Sequence, residues 1–516
     1  MTLAVALAAP HEAAVAAARA AVEVGGNALD AALAAAAVLT VVYPHQCSLG
    51  GDLVALIEHD GVTRAVVSVG AAPKAIDPAR LAEEPRMPRQ GADTVTVPGV
   101  VAGWQAIARL GARLPLASAL TRAASLADAG TTVSKGLGRA LRDRRAHVLA
   151  DAGLREIFTR DGELLADGDA LPQPALARTL RRLAADPDDF YRGETAAALV
   201  DRIRGLGGSI DTSDFADHEA EVTAAVTRRI RGVAWSVAPP PSQGVVLLSI
   251  LPVSTVDAPT ASLVAAYTAA ADSRRRHLGD PRGGTIDTSA LLGEASSSSA
   301  GEPPRPGHAL GDTVAITAQD SDGTVVSLIQ SVYQWFGSGI LDPATGIVLH
   351  NRGSAFSTDP SHPAHIGPGL RPPHTLCPLL ATSDDLTVAF GCQGGSAQPW
   401  ILAQIAEALL DPSADPAEVL SRPRWVVGAQ DLGHSETTVV AEPGRDDAIA
   451  AGLAQGLGVD LHDRLIDEAG HVQIVRRHHR RDMPFDTASD PRADGLGVVM
   501  TAAASPAPRS SSEGER

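Results

Sequence analysis

A stretch rich in glycine, serine and proline, Gly283–Gly311, divides this chain into two parts of different character. It contains the serine run Ser296–Ser299 and the proline-rich run Pro303–Pro306. A segment of this composition buries too little apolar surface to offset its conformational entropy, so we expect a flexible tether. The chain is therefore predicted to form a helix-rich part, 1–312, that ends in the tether, and a second part, 313–516.

Directly after the tether, two β-rich runs predict a hairpin that opens with Thr313. The runs Thr313–Gln319 and Thr324–Gln330 flank Asp320–Gly323, which has the composition of a tight turn. A threonine in a strand is usually there because it suits β-structure. Cleavage between Asp312 and Thr313 would also free an α-amine beside the hydroxyl, so that one residue supplies both nucleophile and base.

The acidic balance of the chain excludes some partners. Its 516 residues carry 43 basic and 60 acidic side chains, a net charge of −17, which argues against nucleic acid or an anionic membrane. The apolar run 31–42 is too short to cross a bilayer, and residues 1–10 lack the basic start of a signal peptide, so we expect a cytoplasmic protein. The cysteines show neither metal-ligand spacing nor a disulfide framework, and no metal or cofactor is expected.

Hydrophobic periodicity predicts an α+β fold with a mainly helical, peripheral region between 130 and 220. The basic run Arg476–Arg481 is expected at an exposed strand end, and the tail 505–516 is expected to be disordered. Helices are predicted at 11–24, 27–42, 103–110, 116–127, 263–278, 400–410 and 446–456, and strands at 1–10, 53–59, 63–69, 313–319, 324–331, 346–350, 386–391, 437–440 and 471–475.

Short motifs recur in a fixed order between Gly25 and Arg492. In that order and spacing the chain resembles the gamma-glutamyltranspeptidase family, and within it the hydrolase-like branch that includes oxamate amidohydrolase and related acylases. The motifs are Gly25–Ala32, Pro44–Asp52, Thr96–Trp104, Pro239–Gly244, Gly279–Pro281, Gly311–Thr313, Phe336–Gly339, Asn351–Gly353, Arg371–Pro378, Gly394–Gly395 and Asp490–Arg492.

The resemblance implies a fold and a maturation step. The fold would be a four-layer αββα sandwich of the N-terminal nucleophile hydrolase type. Self-cleavage at Asp312–Thr313 would produce a large and a small subunit that stay together as a heterodimer. Whether two such heterodimers associate is left open.

An oxyanion site is expected at Gly394–Gly395. These glycines follow the apolar run 388–392 and precede a predicted helix, so their backbone N–H groups can converge on developing negative charge. An ordinary turn would fit the local sequence equally well. The resemblance to the family's paired-glycine oxyanion hole favours the catalytic role.

Other side chains are expected near Thr313. The resemblance aligns Ser331 with a hydroxyl that contacts the nucleophile, and Tyr333 lies two residues further along the same strand. It also places His374 and Thr375 in the family's paired-hydroxyl segment, with one hydroxyl replaced by histidine. Tyr333 and His374 retain a purely structural alternative, packing in the first case and a loop histidine in the second.

Three departures from the family pattern concern the substrate. Enzymes acting on gamma-glutamyl groups hold the α-carboxylate with an arginine, at a position occupied here by Val69. They hold the α-amine with a segment that reads Asn351–Phe356 here, in which Arg352 replaces an amide or acid and Ala355 replaces an acid. Arg352 offers a planar fork for a carboxylate or carbonyl pair, although a structural ion pair is an equal alternative.

The sequence predicts an autoprocessed N-terminal-threonine amidohydrolase that cleaves a small-molecule amide through an acyl-threonine intermediate. The expected site comprises catalytic Thr313, Ser331, Gly394 and Gly395, and substrate-binding Tyr333, Asn351, Arg352, His374 and Thr375. One alternative is a gamma-glutamyl transferase with a rearranged substrate clamp. The other, of a different class, is an uncleaved, non-catalytic homologue that binds a ligand.

Overall fold

The structure is a computed structural model that describes residues 3–294, 312–429, 432–480 and 484–501. The predicted tail 505–516 and the tether from residue 295 onward lie outside the described residues. The strands are β1 (Ala4–Ala9), β2 (Asp52–His59), β3 (Val62–Ser68), β4 (Thr131–Thr132), β5 (Thr159–Arg160), β6 (Glu163–Leu164), β7 (Ala170–Leu171), β8 (Glu221–Ala224), β9 (Val226–Ile230), β10 (Val233–Val237), β11 (Asp312–Asp320), β12 (Val325–Tyr333), β13 (Ile340–Asp342), β14 (Ile347–Leu349), β15 (Leu379–Thr382), β16 (Leu386–Cys392), β17 (Trp425–Gly428), β18 (Thr438–Ala441), β19 (Gly458–Leu461), β20 (Val472–His478), β21 (Phe485–Ser489) and β22 (Leu496–Thr501).

Helices cover the outer faces of the sheets. Helix α2 is buried along its whole length, and its alanines allow it to lie close against the first sheet. The helices are α1 (Glu12–Glu23), α2 (Ala28–Val42), α3 (Pro78–Leu81), α4 (Val100–Arg109), α5 (Leu116–Ala129), α6 (Lys135–Asp143), α7 (Arg145–Ala150), α8 (Ala152–Phe158), α9 (Pro174–Ala185), α10 (Asp189–Arg192), α11 (Glu194–Gly205), α12 (Thr212–Ala216), α13 (Gly244–Ile250), α14 (Thr260–His277), α15 (Thr288–Leu291), α16 (Gln398–Leu409), α17 (Pro416–Ser421) and α18 (Asp446–Ala454).

Two large sheets organise the molecule. The first has seven strands in the order β22-β1-β11-β12-β2-β3-β8, and the second has six in the order β21-β20-β16-β15-β10-β9. The predicted hairpin is β11 and β12, and it lies in the middle of the first sheet, between β1 and β2. The strand that opens with Asp312 and Thr313 is therefore hydrogen-bonded on both sides, to strands from both parts of the chain.

Alternation along β11 places apolar side chains on two faces. Val314 and Ile316 pack with α2 in one hydrophobic cluster, whereas Ala315 packs in a second cluster with residues of the six-stranded sheet. The two sheets approach closely at Gly391 of β16, where an added Cβ would lie 2.8 Å from the Cβ of Ala315. This contact brings the end of β16 beside the start of β11.

Another part of the core lies on the outer face of the six-stranded sheet. Phe390 and Trp235 of that sheet pack with Trp400 of α16 and Tyr267 of α14. The predicted helices at 263–278 and 400–410 are thus confirmed as the elements that cover this face.

Some predictions need correction. The segment predicted as tether is ordered from 283 to 294, because Asp287 caps α15 and Leu291, 1% exposed, packs in the core. The basic run at 476 does not begin on the surface, since Arg476 is 1% exposed and bonded to Asp486 and to backbone carbonyls. Within the described residues, no helix combines the length and apolar character needed to cross a membrane.

Candidate active site

Thr313 lies at an irregular point in its strand pair. The register of β11 and β12 shifts between Asp312 and Val314, a bulge-like feature that re-aims a side chain. Thr313 is 2% exposed, and its hydroxyl donates to Ser331 Oγ at 3.2 Å. Ser331 Oγ also accepts from the backbone N–H of Tyr333 at 2.8 Å. The structure therefore brings together the predicted nucleophile and the hydroxyl expected to contact it.

A cavity of about 210 Å³ opens beside this strand end. Four of the residues predicted to bind substrate, Tyr333, Arg352, His374 and Thr375, line it, and Ala355 lines it as well. Thr313, Ser331 and the two glycines are not among the described lining residues, although Tyr333 links the cavity to Ser331.

Arg352 is the buried cation of this cavity. Its side chain is 1% exposed, and its guanidinium carbon lies 3.6 Å from the centroid of the Tyr333 ring, a cation–π contact. One nitrogen donates to Thr375 Oγ1 at 2.6 Å, and Nε has no hydrogen-bond partner among the described residues. Burial lowers the pKa of Arg352 to about 10, while Tyr333 and Asp52 act in the opposite direction, so the side chain stays charged at neutral pH.

No structural ion pair accounts for Arg352. Within the described parts of the chain, no carboxylate lies within 4.0 Å of its guanidinium, whereas Arg371 and Arg424 each contact a buried aspartate. A buried guanidinium without an anionic partner is costly, and a substrate carboxylate would supply that partner.

Basic side chains outnumber acidic ones in the lining of this cavity. Its described lining includes a single carboxylate, Asp359, and five arginines: Arg86, Arg89, Arg274, Arg275 and Arg352. Arg275 is paired with Asp272, which lies outside the lining. An excess of basic groups favours ligands of negative charge.

The backbone of the predicted oxyanion turn adopts positive φ angles, which glycine tolerates and other residues rarely adopt. Gly394 has φ 142° and Gly395 has φ 51°, and the turn leads directly into α16. Gln243, which is fully buried, donates from Nε2 to Gly395 O at 3.0 Å and to Thr375 O at 2.6 Å. One carboxamide thus ties the Gly394–Gly395 turn to the segment that carries Thr375.

Asn351 lies behind the cavity instead of lining it. Its carboxamide accepts from Gln334 N at 3.2 Å and donates to Arg89 O at 2.7 Å. Both ends of the side chain therefore hold backbone segments that carry lining residues. Its predicted contact with substrate stays a prediction.

His374 belongs to a buried cluster that the sequence analysis did not anticipate. Asp52, 1% exposed, has an Oδ2 that lies 3.3 Å from His374 Nε2 and 3.3 Å from His350 Nδ1. Burial lowers the pKa of His374 to about 3, an effect that Arg352 reinforces and Asp52 opposes. Neutral His374 donates from Nε2 to Asp52, and its Nδ1 accepts from Leu376 N at 3.3 Å.

Asp52 connects this cluster to the nucleophile strand. It is paired in register with Ser331 across β2 and β12. Burial alone would raise the pKa of Asp52, but His350 and His374, together with the Gly70 N–H, hold the carboxyl ionised with a lowered pKa. The cluster therefore fixes the cavity wall at His374 relative to the strand that carries Ser331.

Two positions of the expected gamma-glutamyl clamp, Val69 and Ala355, carry no charge. Val69 is 2% exposed and packs in the apolar cluster between the two sheets, away from the lining residues described above. Ala355 lines the cavity where the family pattern has an acid.

The chain matches a known protein family over most of its length. The sequence model described as Gamma-glutamyltranspeptidase matches residues 14–500. The chain belongs to the gamma-glutamyltranspeptidase family. The predicted resemblance is thereby confirmed, and so is the prediction of an autoprocessed threonine amidohydrolase in a family of amide hydrolases and acyl transferases.

Relatives within the gamma-glutamyltranspeptidase family match the chain almost end to end. Oxamate amidohydrolase proenzyme from Klebsiella pneumoniae is 34% identical over 95% of this chain and 97% of its own length. Glutathione hydrolase-like YwrD proenzyme from Bacillus subtilis is 31% identical over 92% and 94%. The structure of cephalosporin acylase from Bacillus halodurans superposes with a TM-score of 0.85 at 28% identity, covering 96% of this chain and 95% of that one.

Sequence reasoning missed Asp52, His350 and Gln243. Each lies within or beside a motif that pointed to the gamma-glutamyltranspeptidase family, so a signal was present. An aspartate that opens an otherwise apolar strand, as Asp52 does, indicates a buried charge that needs partners. The two histidines that meet it lie far away in sequence, and only the fold brings them together.

Proposed function

We propose that this enzyme hydrolyses small amides whose acyl part carries a carboxylate close to the scissile carbonyl. The observation that carries the proposal is Arg352, a buried cation on the cavity wall with no carboxylate partner among the described residues. Its planar fork matches a carboxylate or a carboxylate and carbonyl pair. Oxamate, the substrate named for a relative that is 34% identical, has this arrangement.

In the proposed reaction, the freed α-amine of Thr313 accepts the proton of the Thr313 hydroxyl. Oγ1 then attacks the amide carbonyl, and the backbone N–H groups at Gly394–Gly395 stabilise the oxyanion. The C–N bond breaks as the amine leaves with a proton returned by the Thr313 ammonium. Water then attacks the acyl ester. The Thr313 amine takes a proton from the water and returns one to Thr313 Oγ1, which restores the free hydroxyl.

We infer that maturation uses the same hydroxyl. Thr313 Oγ1 attacks the carbonyl carbon of Asp312, and the C–N bond breaks, so an ester replaces the peptide bond and the threonine amine is freed. Water then hydrolyses the ester to the Asp312 carboxylate and the free Thr313 hydroxyl. The products, 1–312 and 313–516, would remain a heterodimer because β11 pairs with β1 from the large chain and β12 pairs with β2. The family's four-layer αββα arrangement is supported by two facing sheets with helices outside each.

A gamma-glutamyl transferase with a rearranged clamp is the second candidate. It is favoured by the relatives named glutathione hydrolase, and disfavoured by Val69 and Ala355, which leave a zwitterionic glutamyl group without its usual counter-charges. A non-catalytic, uncleaved homologue fits the buried Thr313–Ser331 pair and the positive cavity less well. A cytoplasmic location stays part of the proposal.

The test compares three amides as substrates of the purified, self-cleaved protein. Ammonia release from oxamate, ammonia release from propionamide, and glutamate release from glutathione separate the candidates. We expect kcat/KM for oxamate to exceed that for propionamide by at least about tenfold, the value of one charge-assisted contact. Faster turnover of glutathione than of oxamate would favour the second candidate, and equal turnover of both simple amides would contradict the role of Arg352.

A further inference from the structure

His350 is a buried side chain near the active-site cavity that the proposed reaction does not use. It directly follows β14, two residues before Arg352, and is 0% exposed. Its Nε2 lies 2.9 Å from Thr96 O and 3.2 Å from Thr96 Oγ1. A backbone carbonyl only accepts hydrogen bonds, so His350 Nε2 carries a hydrogen and donates it to Thr96.

The other ring nitrogen of His350 faces a carboxylate. Nδ1 lies 3.3 Å from Asp52 Oδ2, the distance of an ion pair, and makes no aligned hydrogen bond to the described residues. In a neutral ring with its hydrogen on Nε2, Nδ1 would turn a lone pair towards the Asp52 carboxylate, which is repulsive. An imidazolium, which has a hydrogen on each nitrogen, makes the same contact attractive. The geometry therefore favours the imidazolium.

The two other histidines near Asp52 are neutral. His374 Nδ1 accepts from Leu376 N at 3.3 Å, so the hydrogen of this ring is on Nε2, which donates to Asp52. Burial lowers the pKa of His218 to about 4, although Asp52 acts in the opposite direction. Within the described residues, Asp52 has ion-pair contacts with His350 and His374 alone. His350 is therefore the side chain that can balance the charge of Asp52.

This balance matters for Arg352. Burial lowers the pKa of Arg352, whereas Tyr333 and Asp52 raise it, so the field of the Asp52 carboxylate reaches the guanidinium. An Asp52 charge without a partner would offset the charge of Arg352 and repel a second anion from it. An Asp52 charge that is paired with an imidazolium has little net effect on such an anion.

We propose that His350 is a positioning residue that sets the specificity of the site. As an imidazolium it neutralises Asp52, so that the positive charge of Arg352 stays available to a carboxylate of the substrate. His350 is not among the described residues that line the cavity, and it acts through Asp52. The inference rests on the proposed function, in which Arg352 binds that carboxylate.

The kinetic test uses His350→Gln, which keeps a donor for Thr96 but carries no charge. We expect KM for oxamate to rise at least about fivefold, because one negative charge is added near the bound carboxylate. Propionamide has no charge, so its kcat/KM should stay within about twofold of the wild type. His478→Gln is the matched control, since His478 is a buried histidine paired with Asp486 and lies outside the lining. It should lower the Tm and leave both substrates unaffected.

The double variant Asp52→Asn/His350→Gln separates charge from structure. It removes both members of the ion pair, so KM for oxamate should return to within about twofold of the wild type. A structural role of His350 would instead make the double variant at least as impaired as His350→Gln. That result would overturn the proposal.

A measurement independent of activity decides the charge of His350. In the protein labelled with ¹⁵N-histidine, the NMR signals lost in His350→Gln belong to His350. At pH 7 we expect both of its ring nitrogens to show a directly bonded hydrogen in the wild type and only one to do so in Asp52→Asn. A single N–H in the wild type would overturn the proposal. Equal turnover of oxamate and propionamide by the wild type would contradict the proposed substrate, and the same NMR signals would still report the charge of His350.

Discussion

Among single residues, Arg352 is the one on which the proposed selectivity depends. A guanidinium that is 1% exposed needs compensation, and the Tyr333 ring and the Thr375 hydroxyl supply only part of it. Nε has no hydrogen-bond partner among the described residues. We therefore propose that the replacement of the amide or acid of the gamma-glutamyl clamp by Arg352 favours an anionic acyl group.

Substitutions of Arg352 separate a substrate contact from a structural one. Arg352→Ala should lower kcat/KM for oxamate by about ten- to hundredfold, equivalent to about 1.5–3 kcal/mol for a charge-assisted contact. Arg352→Lys keeps the charge but loses the planar fork, so its loss should be intermediate. Neither change should prevent self-cleavage. Steady-state kinetics and a thermal melt on each variant provide the measurement.

Arg476→Lys is the matched control for these variants. Arg476 is equally buried but is paired with Asp486, so its substitution should lower the Tm and leave the kinetics of the folded enzyme unchanged. Unaltered kinetics in folded, self-cleaved Arg352→Ala would remove Arg352 from the site.

Among the elements, Gln243 connects two segments of the candidate site. Its carboxamide bonds the carbonyls of Gly395 and Thr375, and Arg274 donates to its Oε1 at 2.6 Å. The turn at Gly394–Gly395 comes from the second part of the chain, whereas Gln243 precedes α13 in the first part. Cleavage therefore leaves this contact as one of the links across the subunits.

Gln243→Ala should lower kcat more than it raises KM. The turn at 394–395 loses its anchor, and a displacement of about 1 Å at a catalytic group costs about a hundredfold in rate. Gln404→Ala is the control, because Gln404 also bonds two backbone carbonyls, Trp400 O and Trp425 O, far from the site. Both variants should lose stability, but a kcat in Gln243→Ala equal to that in Gln404→Ala would contradict the positioning role.

The hairpin and the buried helices were predictable because their patterns are strong and local. β11 and β12 are β-branched runs around a turn, and Asn27 caps α2 with a complete capping box. The edge strands β9 and β22 were not predicted, since their exposed side chains break the apolar alternation. The sequence pattern of a strand is weaker where the sheet buries only one face of that strand.

For the site, the residue types were predictable and their arrangement was not. Thr313 and Ser331 lie on one hairpin, so their contact follows from local structure. The Asp52–His374 contact joins residues 322 positions apart, and no local pattern encodes it. β12 does reach Tyr333, but Tyr333 has φ 78°, which alternation along a regular strand does not anticipate, and its ring lies against the Arg352 guanidinium.

At the scale of the whole molecule, buried histidines make stability depend on pH. Burial lowers the pKa of His45 and of His374 from 6.5 to about 3. Their folded-state pKa values are depressed, so below pH 6.5 the unfolded chain binds protons that the folded chain does not. The stability that they contribute is present above pH 6.5 and is lost as the pH falls towards 3.

We expect the free energy of unfolding to decrease below pH 6.5 by about 1.4 kcal/mol per pH unit for each such histidine. Urea titrations between pH 7 and pH 4 on Thr313→Ala keep the unfolding unit a single chain. Adding His45→Gln should make the dependence shallower by about that amount. An identical slope with and without His45 would show that this histidine takes up its proton in the folded protein as well.

We propose that the Thr313 hydroxyl cuts its own chain and then performs the amide hydrolysis. Intact-mass spectrometry of the purified protein distinguishes this from an uncleaved chain. We expect two fragments that meet at the Asp312–Thr313 bond in the active wild type, a single uncut and inactive chain in Thr313→Ala, and slower cleavage in Thr313→Ser. Active wild-type protein that stays one full-length chain, or Thr313→Ala protein that is cut at the same bond, would contradict it.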